Sequence, residues 1–165
     1  MRDLPVLERL DKVPGIEPRA AHVIFAEIGL GMEHFPTAAQ LVPRAKVSPG
    51  TIQSGPRSRP GKVAKGNPYL KHVLGEAATA AARTDTFLGE GYRRLVRRRG
   101  KQRALVAIEP SILVVVWHLL VDPNARFIDL GSDFCGRRVN KDRRTPDLVR
   151  QLIALGHQVT LKPAA

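Results

Sequence analysis

The chain has one cysteine, Cys135, in 165 residues. That excludes a disulfide framework and a cysteine-based zinc site, and it fits a reducing compartment such as the cytoplasm. Aromatic residues are scarce at 5%, so only Tyr69 and Tyr92, which border basic stretches, offer rings for stacking on bases. The five histidines (22, 34, 72, 118 and 157) show no metal-ligand spacing, and His118, in an apolar stretch, reads as a satisfied core histidine. No cluster of carboxylates is spaced to hold two metals for phosphodiester chemistry. No signal peptide is expected, since residues 1–10 mix polar and apolar positions with two acids. The very apolar run Ile112 to Val121 (ILVVVWHLLV) is about half the length a bilayer-spanning helix needs. Glu109-Pro110-Ser111 interrupts it upstream, so a buried helix is expected and no membrane partner.

What the chain has in excess is positive charge, +12 overall. Such an imbalance points to a polyanionic partner, nucleic acid before membrane. The charge is concentrated. Between Glu33 and Glu76 there is no acid, while Arg44, Lys46, Arg57, Arg59, Lys62, Lys65 and Lys71 fall in that interval. A second block, YRRLVRRRGKQR, carries Arg93, Arg94, Arg97, Arg98, Arg99, Lys101 and Arg103. One such run is usually a solvated face; two acid-free patches in a small domain favour phosphate binding.

The apolar spacing is that of a mainly α protein without repeats. The expected organisation is a helical domain over residues 1–121 and a polar tail over 122–165 with one short helix. Helices are expected over Leu4–Lys12, Arg19–Leu30, Ala38–Leu41 capped by Thr37, from Asn67 onward, from Asp85 to Gly100, and over Lys101–Leu120 with a kink or restart at Pro110. Asn67-Pro68 is a strong helix start, with Asn at the N-cap and Pro at the first helical position. The tail is expected to hold a helix near Pro146–Leu155 and an extended end at Gln158–Leu161. Pro43 to Gly66 carries four prolines and four glycines, and reads as a long basic loop with no regular element.

Three motifs compete for attention. DKVPGIEPRAAHVIFAEIG, from Asp11, has the form of a helix-hairpin-helix whose turn, at Gly15 and Ile16, would hold a DNA phosphate on backbone N–H groups. Glu17 replaces the usual second glycine there, so a hairpin used only for packing is an equal reading. GPRSRPGKV, from Gly55, fails as a phosphate-binding loop. Five residues separate its glycines, Val63 follows Lys62, and no strand is expected before it. Ser54 fails as a nucleophile elbow because Ile52 stands where G-x-S-x-G needs glycine. From the residues alone Ser54 is turn chemistry.

The segments VPGIEPRAAHVIFAEIG, HFPTAAQLV, SPGTIQSG, GKVAKGNPYLKHVLGEAATAAART, YRRLVRRRGKQRALVA and LGHQVTLKPAA together resemble the C-terminal region of insertion-sequence transposases of the IS one-ten and IS one-one-one-one group. The resemblance runs in order over nearly the whole chain. It implies a recombinase that moves a DNA element, guided in some members by an element-encoded RNA. It implies an N-terminal RuvC-like domain holding Mg2+ on acidic ligands, a domain this sequence lacks, so no cofactor is expected in this chain. It implies that Ser54 is the serine that attacks the DNA phosphodiester, with Arg57, Arg59, Lys62 and Lys65 neutralising the strand. Implied partners are DNA, a guide RNA, and a second copy or a RuvC-like domain in trans. Pro110 and Ser111 depart from the family pattern, which predicts a broken helix, and Arg44, Lys46 and Glu17 depart as well. The alternative is a non-catalytic nucleic-acid-binding module left from a truncated transposase.

Overall fold

The computed structural model describes residues 4–29, 31–47, 49–63, 65–137 and 141–162, and for a few of these, Lys62 among them, the backbone alone. Helices α1 (Leu4–Leu10), α2 (Pro18–Ile28) and α3 (Ala38–Ala45) come first, with a 3-10 turn over Met32–His34 before α3. An antiparallel hairpin of β1 (Pro49–Ser54) and β2 (Arg57–Val63) follows. The chain continues through α4 (Pro68–Ala81), α5 (Phe87–Arg99), α6 (Lys101–Val121), α7 (Phe134–Arg137) and α8 (Lys141–Ala154). The architecture is mainly α, as the apolar spacing requires. Two compact units divide at Ser132 and Asp133; the second holds α7 and α8, and α8 starts five residues before Pro146 and includes it. Gln158–Leu161 forms no strand.

In the first unit α6 is the central element, with α1, α3, α4 and α5 all packed on it. Ile112, Leu113 and Val116 on α6 and Leu74 on α4 are fully buried. Truncating a buried Leu or Ile to Ala costs about 2–5 kcal/mol, so this seam carries much of the unit's stability. The alanine-rich face of α4 has its expected use: Ala77, Ala78 and Ala81 are fully buried and let neighbouring backbones approach. The helix is capped as the sequence indicates, Asn67 Oδ1 accepting from the N–H groups of Tyr69 at 2.9 Å and Leu70 at 3.2 Å. Thr86 rather than Asp85 opens α5, its hydroxyl accepting from Gly89 N–H at 3.3 Å. Thr37 occupies the N-cap of α3 without a side-chain cap bond.

Side-chain donors fasten the loops to this frame. Arg9, 7% exposed, donates from Nη1 to the carbonyls of Asp122 at 2.7 Å and Ala125 at 3.3 Å, and from Nε to Pro5 at 3.2 Å. A buried cation at the carbonyl end of α6 is favoured by the helix dipole. Asp129 Oδ1 accepts from Phe87 N–H at 3.1 Å, so packed chain continues past Val121. Trp117 Nε1 donates to the Phe35 carbonyl at 2.8 Å and holds the segment before α3 against α6.

Four expectations are corrected. The break at Pro110 does not occur: α6 runs unbroken for 21 residues. Proline removes one helical hydrogen bond and crowds the preceding turn, but packing on several sides holds the helix continuous. At that length α6 is also apolar enough to cross a membrane, so shortness is no argument; its place at the centre of the bundle is. His118 is exposed, with its ring edge-on to Trp117 at 4.8 Å, and is not a core histidine. Pro43 to Gly66 is not an irregular loop. Helix α3 extends through Pro43 to Ala45, and the remainder forms the hairpin. Its prolines, Pro49 and Pro60, are tolerated because both strands of a two-stranded sheet are edges.

Candidate nucleic-acid interface

The serine segment is the tip of that hairpin. Gly55 at φ 59° followed by Pro56, whose ring sets a negative φ, gives the sign pattern of a two-residue type II′ turn, which suits the twist of a β-ribbon. With two residues in the turn, Ser54 stands directly opposite Arg57, Gln53 opposite Ser58, and Ile52 opposite Arg59. Side chains alternate faces along a strand and opposed residues share one. Ser54, Arg57, Ile52 and Arg59 therefore lie on one face of the ribbon. Residues 52–59 are all exposed. A register shift between Pro49 and Thr51 puts one extra residue on β2, the bulge that bends a strand and increases its twist.

The basic residues fall into three sets. On and below the hairpin, Arg57, Arg59 and Lys65 are exposed, and no carboxylate pairs with them among the described residues; the Lys62 side chain lies outside the described set. The second set is at the corner of α5 and α6, where Arg94, Arg97, Arg98, Arg99 and Lys101 are exposed. Arg97, Arg98 and Arg99 occupy the last turn of α5, where the helix dipole favours cations. Arg93 belongs to the frame instead. Its guanidinium donates to Glu90 Oε2 at 3.0 Å, Asp85 Oδ1 at 3.0 Å and the Thr84 carbonyl at 3.1 Å, bracing the turn between α4 and α5.

Lys71 is the third case. It is half-buried on α4 and lies by Glu109 of α6, whose carboxyl it acts on electrostatically. Glu109 is 7% exposed. Burial pushes its pKa from 4.5 up to about 7, and the Lys71 charge pulls the other way. Glu109 went unrecognised in the sequence except as a helix interruption. The usable signal was a lone carboxylate between Ile108 and the apolar run, on the face that periodicity assigns to the core.

The turn at Gly15 and Ile16 faces inward. Gly15 has φ 89°, and a Cβ built on it would stand 2.1 Å from the Ala77 carbonyl oxygen, so only glycine lets the turn rest on α4. Ile16 is 3% exposed, and its N–H donates to the Val13 carbonyl at 2.9 Å. Glu17 is the N-cap of α2 without a side-chain cap bond, and Pro18 supplies no N–H. This turn rests on α4, where α2 packs, while α1 packs on α2 and α6.

One ground for dismissing GPRSRPGKV as a phosphate loop falls, since β1 does precede it. The glycine spacing and Val63 still exclude it, and the strand returns as a hairpin instead of entering a helix. Among the described residues no group of three His, Cys, Asp or Glu side chains could hold a metal ion.

Residues 7–93, a little over half of the chain, match the transposase IS116/IS110/IS902 family. No curated protein matches the chain.

Proposed function

Because the chain belongs to the transposase IS116/IS110/IS902 family and its role is in transposition, we propose that its hairpin is the DNA-engaging arm and that Ser54 is the nucleophile. The observation that carries this is the hairpin register: it sets Arg57 opposite Ser54 and Arg59 on the same face. A two-stranded ribbon is also an element that fits the major groove of B-DNA.

In the proposed step the Ser54 Oγ attacks a DNA phosphorus and loses its proton to solvent. The bond to one bridging oxygen breaks, that oxygen leaves as a strand hydroxyl, and a serine phosphodiester conserves the bond energy. Reversal by another strand's hydroxyl joins that strand and frees the serine. Negative charge builds on the non-bridging oxygens as Oγ approaches, which is where the Arg57 guanidinium contributes most. Arg59, Lys62 and Lys65 hold the flanking phosphates, and the corner Arg94, Arg97, Arg98, Arg99 and Lys101 holds a second stretch of DNA or guide RNA. The acidic metal ligands come from a RuvC-like domain acting with this one.

The test is denaturing gel electrophoresis of labelled DNA after incubation with the chain and a RuvC-like domain supplied in trans. A covalent protein–DNA adduct is expected, lost in Ser54→Ala. An adduct that persists in Ser54→Ala ends the assignment. A second reading, a non-catalytic binding module, is favoured by one observation: the Ser54 hydroxyl has no hydrogen-bonding partner among the described residues, so nothing there activates it. Salt-sensitive binding that survives Ser54→Ala, with no adduct from the unsubstituted chain, would establish it.

A further inference from the structure

A cavity of about 590 Å³ lies between α4 and α6, away from the hairpin's strands, lined by charged and polar side chains together with Ala80, Leu105 and Val106. Glu109 lies in its lining, 7% exposed, and its carboxyl makes no hydrogen bond among the described residues. Lys71 attracts it electrostatically, and among the described residues no fully buried side-chain oxygen lacks a partner, so the carboxyl opens on the cavity. Gly75 faces it from α4; a Cβ there would stand 4.0 Å from Glu109 Oε1, so the missing side chain keeps the carboxyl reachable. Val106 lines the same cavity. Its carbonyl would ordinarily receive the N–H of residue 110, and Pro110 has none. The lining thus places the Glu109 carboxyl among side chains that carry donors.

The rim asks for the opposite charge. Lys71 and His72 border the cavity from α4 and Arg83 from the turn after it, with Gln102 from α6. Glu76, the remaining rim acid, is paired with His72 at 3.4 Å. A cationic ligand suited to Glu109 alone would meet Lys71 and Arg83. A ligand with neutral N–H donors at one end and an anion at the other satisfies both parts. A nucleotide has that form, and the volume is within the usual range for such ligands.

We infer that the α4–α6 groove is a binding site for one unpaired nucleobase bearing an exocyclic amino group, its N–H donors on Glu109 and its phosphate on Arg83. Cytosine, adenine and guanine qualify. Thymine and uracil do not, because two carbonyls flank their single N–H and oppose the carboxylate. The inference rests on the reading of the chain as a nucleic-acid binder and is independent of the role of Ser54.

Fluorescence anisotropy on a labelled oligothymidylate, with its central residue replaced by dC, dG, dA or an abasic site, tests it. An amino-bearing centre is expected to bind roughly fivefold or more tightly than thymine, the scale of a well-formed base contact. Glu109→Met should reduce all centres to one affinity. Gly75→Leu, which fills the groove from the facing helix and suits a helix interior, should do the same and serves if Glu109→Met fails to fold. Oligouridylates with central rC, rG or rA separate RNA from DNA, and competition by free CMP, AMP and GMP separates mononucleotide from strand; preference in any of these formats supports the site. Equal affinity for every centre with binding intact, or a preference that survives both variants, overturns the groove site alone. Absence of binding to any strand overturns the nucleic-acid reading with it.

Discussion

Glu109 gives the sharpest quantitative handle on this fold. Its carboxyl titrates near pH 7 in the folded protein and near 4.5 when free of burial. At about 1.4 kcal/mol per pKa unit, the folded state holds that proton more tightly by about 3 kcal/mol. The sign follows from proton counts: between pH 4.5 and 7 the folded protein binds more protons at this site than the unfolded chain, so stability falls as pH rises. The contribution is fully present below 4.5 and is lost by the time pH has passed through 7. Glu109→Gln keeps the shape of the protonated acid and removes the titration. The variant should match the parent at low pH and exceed it by up to about 3 kcal/mol at pH 8, a gain that grows across the window. Urea unfolding monitored by the single tryptophan, Trp117, reports on the right unit, since its ring is fastened to Phe35 beside α6. Plotting the difference between variant and parent cancels the other acids. A flat difference, or one that shrinks as pH rises, would refute the placement of Glu109. Lys71→Met supplies a directional check: removing the charge that lowers the Glu109 pKa should carry the window to higher pH.

Gly15→Ala should destabilise the first unit by at least about 2 kcal/mol, through a Cβ driven into the Ala77 carbonyl at a positive φ; thermal unfolding with no change would show that the turn does not rest on α4. Replacing Arg97, Arg98 and Arg99 together with Gln should reduce the salt dependence of duplex binding by about 3 in the slope of log K against log salt, at about 0.9 per phosphate contact. An unchanged slope would remove the α5–α6 corner from the interface. Pro110→Ala restores a helical hydrogen bond inside α6 and should stabilise by about 1 kcal/mol or more; a loss of stability in urea unfolding would mean that the proline's ring packing outweighs the bond it removes.

What could be read from the sequence divides along a physical line. Asn67-Pro68 announced α4 correctly because capping is local: the Asn side chain reaches N–H groups two and three residues ahead whatever the rest of the chain does. Pro110 misled for the converse reason. The cost of a proline inside a helix is fixed by the covalent geometry, but whether the helix survives depends on helices that pack on it from elsewhere in the chain. Glu109 was hidden in the same way, since a lone carboxylate among apolar residues reads as an interruption until its neighbours from α4 are in place. The hairpin is a different sort of omission, because its signal was present. Gly55-Pro56 is a two-residue turn with glycine at the first central position, and Thr51, Ile52 and Gln53 before it favour a strand. Four prolines and four glycines between Pro43 and Gly66 outweighed it. Once those two residues are recognised as the turn, Ser54 must oppose Arg57, and alternation places Arg59 on the same face. The arrangement that carries the proposed chemistry thus follows from a turn of two residues. The Glu109 groove follows from no local rule, because Gly75 and Glu109, 34 positions apart, face each other only after α4 has packed on α6.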